Sequence, residues 1–183
     1  MTRMALIGMG ILALAAGGYA QAPAAHLEAA LAPAPANMRE GAMVINWKAD
    51  GSYDTLRPGT NRLVCYDQSG EPAEQPFSAQ CTSVGNLDRV KQNKIYEAKE
   101  ADRAKREALL TELETAGTRV KPEFGSVWYS LSGKDQASAR RHVTIAVPGA
   151  TAQSLGLPDN PKMGGAWIMG AGTSTAHIMT PGS

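Results

Sequence analysis

Hydrophobic and polar positions follow three rhythms along this chain, and each predicts a different element. Residues 4–16 carry no charge and are almost wholly apolar, directly after Arg3. The run falls short of the ~20 residues that span a bilayer, and it leads into Gly18 and Ala20, small residues suited to cleavage. It predicts a signal peptide over residues 1–20, cut after Ala20, or after Ala22 with Pro23 following the cut. Ala24 to Leu31 can form one or two helical turns, which Pro33-Ala34-Pro35 stops. Residues 21–41 therefore read as an Ala/Pro-rich arm and linker carrying an exposed His26, and residues 42–183 as a single domain.

Within that domain the first rhythm has period two. Asp50-Gly51 separates two alternating runs and predicts a tight hairpin with a type I′ turn. Pairing across it sets Trp47 opposite Asp54, Ile45 opposite Leu56 and Lys48 opposite Tyr53, with Met43, Ile45, Trp47 and Leu56 on one face. Arg57-Pro58-Gly59-Thr60 is a second turn, and Arg62 to Tyr66 completes a three-strand meander. Ser126–Ser132 and Arg141–Val147 alternate again, the latter with Val143, Ile145 and Val147 on its buried side and His142 and Thr144 on the other. Thr151 to Leu155 fits one helical turn, and the C-terminal apolar triplets, residues 167–169 and 177–179, fit a closing hairpin.

The other rhythm has helical period. Asn86 can cap a helix that runs to Ala116, Asp88 suits its positive end, and Gly117 can close it in the left-handed conformation. Leu87, Val90, Ala98, Ala101, Ala108, Leu109, Leu113 and Ala116 share one side, while Arg103-Glu107 and Asp102-Arg106 stand at i,i+4 on the solvated face. Together the elements predict an α+β fold: a mostly antiparallel sheet of about six strands with one long amphipathic helix across it.

Charge and cysteine count narrow the function classes. Arg3 is the leader's only charge, so its removal lowers the formal balance from +1 to 0. A neutral chain with interspersed charges is not built to neutralise phosphates, which excludes nucleic acid as a partner. Cys65 and Cys81 are the only cysteines, and export carries them into an oxidising compartment where they pair. That disulfide pins the loop after the third strand and closes a stretch for which chain entropy gives roughly 3 kcal/mol.

Candidate chemistry clusters at the C-terminus. Met163, Met169, His177 and Met179 are soft sulfur and imidazole donors of the kind that bind copper, although methionine is also a core filler. His142 and His177 would meet as a metal or acid–base pair if their strands were neighbours, with Asp54, Asp67, Asp135 and Asp159 as scattered carboxylates. Gly172-Thr-Ser174-Thr-Ala176 falls one residue short of a nucleophile elbow, with His177 the only later histidine. Asp67, Ser69 and Glu71 alternate oxygens as in a calcium loop, but Ser78 stands where a bidentate glutamate is needed.

With the leader, the Leu56-Arg-Pro-Gly-Thr-Asn61 turn before Cys65, the second cysteine at Cys81 and the closing His177-Ile-Met179, the chain resembles a group of uncharacterised bacterial secreted and periplasmic proteins over roughly Met43 to Met179. Leu63 stands where similar proteins often carry an aromatic residue. The resemblance implies export and the disulfide, and it transfers no catalytic residue.

The resulting expectation is a periplasmic or secreted, non-catalytic domain with no membrane span after leader cleavage and no cofactor, binding a protein partner or a small molecule. The alternative is a small extracytoplasmic enzyme or copper protein using His177 and His142, with Met169 and Met179 as further ligands.

Overall fold

The computed structural model describes residues 24–71 and 74–180. The predicted leader and both cleavage positions lie outside these residues. Five helices, α1 (Ala24–Leu31), α2 (Ala36–Arg39), α3 (Leu87–Lys99), α4 (Arg103–Thr115) and α5 (Ala152–Leu155), accompany eight strands. The strands are β1 (Met43–Trp47), β2 (Tyr53–Arg57), β3 (Leu63–Asp67), β4 (Phe77–Ser83), β5 (Val127–Gly133), β6 (Arg140–Ala146), β7 (Trp167–Met169) and β8 (His177–Met179). They form one mixed sheet in the order β2-β1-β3-β4-β5-β6-β8-β7. The α+β class and the mostly antiparallel sheet hold, but the sheet has eight strands with one parallel pair, β1 with β3, where about six were expected, and the single long helix is two helices. Among the described residues no helix is long and apolar enough to cross a membrane.

The first departure is at the hairpin. Gly51 N–H donates to Lys48 O at 3.0 Å, Lys48 N–H donates to Ser52 O at 2.8 Å, and only Gly51 takes a positive φ, +77°. That is a three-residue loop with a left-handed glycine in place of the two-residue type I′ turn. The extra loop residue shifts the register by one, so Trp47 pairs with Tyr53 and Asn46 with Asp54. An irregularity between Val44 and Ile45 then turns Leu56 to the face opposite Ile45, where it packs with Val44.

The second departure is topological. β3 runs parallel to β1, with Met43 opposite Val64, so the first three strands are no meander. The turn 57–61 carries the chain past β1 to its far edge. Its backbone is held from below: Thr60 and Asn61 N–H donate to Gly41 O, the Asn61 side chain donates to Met38 O at 2.8 Å, and the Arg57 guanidinium donates to Ala42 O. A β-carbon on Gly59 would stand 2.6 Å from Met43 N, so only glycine fits that approach.

β4, unassigned in the sequence reading, pairs antiparallel with β3 so that Cys65 stands directly opposite Cys81. The two form a disulfide, S–S 2.08 Å and Cα–Cα 4.1 Å, that ties neighbouring strands and not a loop. Both cysteines are fully buried beneath α1, where Ala30, Leu31 and Ala34 join Val44, Leu63, Cys65 and Cys81 in one cluster. The segment read as an exposed arm thus covers one face of the sheet, and His26 sits 3.7 Å from the Asp67 carboxylate.

α3 covers the other face, with Val90 packed on Ile45, Val64 and Tyr66. The predicted helix breaks at 100–102 because Glu100 turns extended and Asp102 caps a new helix, accepting from Lys105 N–H at 3.0 Å. α4 then folds back along α3 with no fully buried residue, so Ala98, Ala101 and Ala108 face solvent. Asn86 does not cap its helix: buried, it donates to Thr82 Oγ1 and Ser126 Oγ and accepts from Glu123 N–H. Gly117 (φ +69°) follows α4 as expected, and β5, β6, α5 and the β7–β8 hairpin fall where the pattern sets them.

Candidate functional site

Because both sheet faces are covered, alternate residues of each strand meet different partners. The α3 face is the polar one. Tyr66, Gln80, Ser130 and His142 stand side by side across β3, β4, β5 and β6, linked by Tyr66 O–H donating to Gln80 Oε1 at 2.5 Å and Gln80 Nε2 donating to Ser130 Oγ at 3.0 Å. Trp128 and Thr144 pair in the neighbouring row, and Ala146 and His177 in the one beyond.

α3 does not close down on this face along its whole length. A cavity of about 300 Å³ remains, lined by Arg89, Asn93 and Glu97 from the helix and by Tyr66, Trp128 and His177 from the sheet. A second cavity of about 440 Å³, lined by Trp47, Glu71, Glu74, Lys94 and Glu97, shares Glu74, Lys94 and Glu97 with it. The two make one groove along α3, of the size in which small ligands bind.

The groove has two electrostatic ends. At one, Arg89 is only 6% exposed and its Nη1 donates to Ser174 Oγ at 3.1 Å and to Val120 O. Nη2 and Nε make no hydrogen bond, and no carboxylate is within ion-pair distance, among the described residues. Burial, reinforced by the neighbouring Arg119, lowers its pKa to about 10. Arg119 is buried beside it, donating to Gln92 Oε1 and Asn93 Oδ1. The nearby carboxylate, Glu114, is engaged by Ser174, whose N–H and O–H both donate to it.

At the other end stand Glu71, Glu74 and Glu97. Lys94 Nζ donates to both Glu71 oxygens at 2.6–2.7 Å and lies 5.9 Å from the Trp47 ring and 5.7 Å from that of Tyr66. Glu74 accepts from Ser78 Oγ at 2.6 Å. The Glu97 carboxylate has no hydrogen-bond partner among the described residues, and burial raises its pKa, with Lys94 pulling the other way. Burial likewise lifts the Tyr66 hydroxyl well above the usual phenol range.

The residues singled out from sequence distribute unevenly over this geometry. β6 and β8 are neighbours, and His142 and His177 point to the same face. His177, however, stands opposite Ala146, four residues from His142, so about 13 Å of strand separates the pair. His177 lines the groove, and its Nδ1 sits 2.7 Å from Thr175 O, a carbonyl that fixes Nδ1 as the donor and leaves Nε2 without a hydrogen bond among the described residues. His142 is exposed. Met169 pairs with His177 and Met179 with Trp167, so the two methionines share a face without facing each other; Met163 is exposed on a separate turn.

Ser174 Oγ is committed to Glu114 and Arg89, not to His177, so no nucleophile–base pair forms. Asp54 pairs with Lys48 at 2.6 Å, Asp135 holds a turn through Ser138, and Asp159 is exposed. In the calcium-like stretch, Asp67 accepts from Ser69 N–H and Glu71 binds Lys94. Among the described residues no three His, Cys, Asp or Glu side chains converge as metal ligands.

Sequence reasoning missed the groove because its helix wall looked like solvated surface. The available signal was Arg89, Asn93 and Glu97 at i, i+4 and i+8, a polar stripe adjoining buried Val90. Comparison with protein-family models, with curated proteins and with solved structures finds no match to this chain.

Proposed function

We propose that this chain is an exported, non-catalytic binding domain whose ligand is a small polar molecule held between α3 and the sheet. Export rests on the leader pattern of residues 4–20, on the resemblance to secreted bacterial proteins and on the compatible Cys65–Cys81 disulfide. The binding reading rests above all on one observation: a groove between helix and sheet is lined by Arg89 and Glu97, charged side chains that form no salt bridge among the described residues. Burying charge without a counterion is costly, and a bound ligand offsets that cost. A binder is favoured over an enzyme because the two histidines are about 13 Å apart along the sheet and the one suggestive serine is held by a carboxylate and a guanidinium.

The test is a thermal-shift panel of amino acids, short peptides, sugars and nucleosides on the wild-type chain and on Thr144→Trp, which fills the groove. At a hundredfold over Kd, binding adds about 2.7 kcal/mol, so Tm rises by roughly 5–10 °C for a protein of this size. At least one class should give that shift in wild type and none in Thr144→Trp. A panel without any shift, or shifts equal in both proteins, contradicts the groove as the site.

A further inference from the structure

The two ends of the groove carry an excess of opposite charge, and that polarity constrains what fits between them. At the Arg89 end, Arg89 and Arg119 stand near Glu114, which Ser174 already occupies, and Arg119 also feels Glu97 along the groove, whereas Arg89 has only Glu114. At the Glu97 end, Glu71, Glu74 and Glu97 face one groove ammonium, Lys94, which Glu71 already holds; Lys48, the other cation of that lining, is paired with Asp54, and Arg106, outside the lining, acts on Glu97 from the helix turn. A ligand carrying only negative charge meets repulsion at the second end, and one carrying only positive charge meets it at the first. A neutral ligand leaves both ends unpaired.

Along α3, Arg89 and Glu97 are eight residues apart, about 12 Å at 1.5 Å per residue. An extended chain of three residues spans about 10 Å. Between the charged ends the lining offers what a peptide backbone needs: the Asn93 side-chain amide, whose nitrogen is uncommitted among the described residues, and His177 Nε2. Trp128 and Tyr66 supply flat walls for side chains. We infer that the groove binds a short zwitterionic peptide, its C-terminal carboxylate on the free edge of the Arg89 guanidinium and its terminal ammonium at Glu97 and Glu74.

This inference rests on the binding reading above, so the experiment separates the two. Three tripeptide mixtures of identical side-chain composition are titrated into the full chain: one with free ends, one N-acetylated, one C-amidated. The free mixture should raise Tm, and each cap should weaken apparent binding about tenfold to a hundredfold, the worth of a charged hydrogen bond. Glu97→Gln should shrink the difference between free and acetylated peptides while preserving that between free and amidated ones. Because the Glu97 side chain makes no hydrogen bond among the described residues, this variant keeps the test valid even if Arg89→Gln fails to fold. Equal binding of free and capped mixtures overturns the inference. So does silence of all three while another polar molecule gives a shift that Thr144→Trp removes, an outcome that leaves the binding reading standing. Silence of every compound overturns both.

Discussion

Arg89 on α3 donates a hydrogen bond to Ser174 Oγ at 3.1 Å, across 85 residues of sequence. The same serine gives its N–H and O–H to Glu114 on α4. One small side chain therefore joins both helices to the loop before β8, and this joint sets one end of the groove. Glu114 shows the coupling: burial pulls its pKa upward, yet the two bonds from Ser174 and the adjacent arginines leave it lowered overall.

Ser174→Ala should act on stability. Removing the hydroxyl takes an acceptor from buried Arg89 and a donor from half-buried Glu114, a cost of about 1–3 kcal/mol. Thermal melts should show Tm falling by roughly 2–10 °C at pH 7. Esterase or peptidase activity that disappears in a still-folded variant would instead make Ser174 a nucleophile.

Replacing both Cys65 and Cys81 by alanine should cost about 3 kcal/mol, because the crosslink closes a loop whose freedom the unfolded chain regains. Both sulfurs are fully buried, with Cys81 Sγ 3.6 Å from the Ala30 carbonyl oxygen. Reductant should therefore reach the native bond only through opening of the fold, and thiol trapping in folded protein should be slow compared with trapping in urea.

Ala30→Leu tests whether α1 belongs to the core. Ala30 is fully buried against the disulfide, and adding three heavy atoms there should cost about 1–3 kcal/mol by overpacking. The same change at exposed Ala104 should move Tm by less than the error of the scan. Equal melts for the two variants would return residues 24–31 to the status of an arm.

Glu97 supplies a pH prediction. Its folded pKa lies above the ordinary 4.5, chiefly through burial. The folded state thus holds the proton more tightly than the unfolded chain, and stability falls as pH rises through the folded value. Glu97→Gln removes this penalty, so it should raise Tm at pH 7 and leave Tm nearly unchanged at pH 4. The gain in stability comes with weaker ligand binding, as expected for a charge kept for function.

His177→Ala should weaken groove binding about two- to tenfold, the worth of one neutral hydrogen bond, whereas His142→Ala should leave it unchanged. Their places differ: His177 lines the cavity, and His142 is exposed four residues along the neighbouring strand. Copper binding lost equally in both variants would contradict this separation and favour a metal site on that face.

Local signals in the sequence were legible. Thr151 and Ser154 form a reciprocal cap on α5, Gly117 follows α4 with positive φ, and the alternation of Val127–Gly133 and Arg140–Ala146 gives two antiparallel strands. β4 carried the same signal, Phe77, Ala79 and Cys81 against Ser78, Gln80 and Thr82, but nearby prolines made the stretch resemble loop. The parallel pairing of β1 with β3 was not legible, since no short-range pattern distinguishes a crossover from a meander. Nor was the groove, because a charge such as Arg89 or Glu97 becomes unusual only when the fold draws it out of solvent without a salt bridge of its own.

The central claim is that the space between α3 and the sheet is a ligand site. Native mass spectrometry of the full chain, wild type beside Thr144→Trp, after incubation with a mixed small-molecule extract, addresses it most directly. The account predicts a discrete one-to-one adduct on the wild type that is absent from the groove-filled variant. The same adduct on both proteins, or none on either, would contradict it.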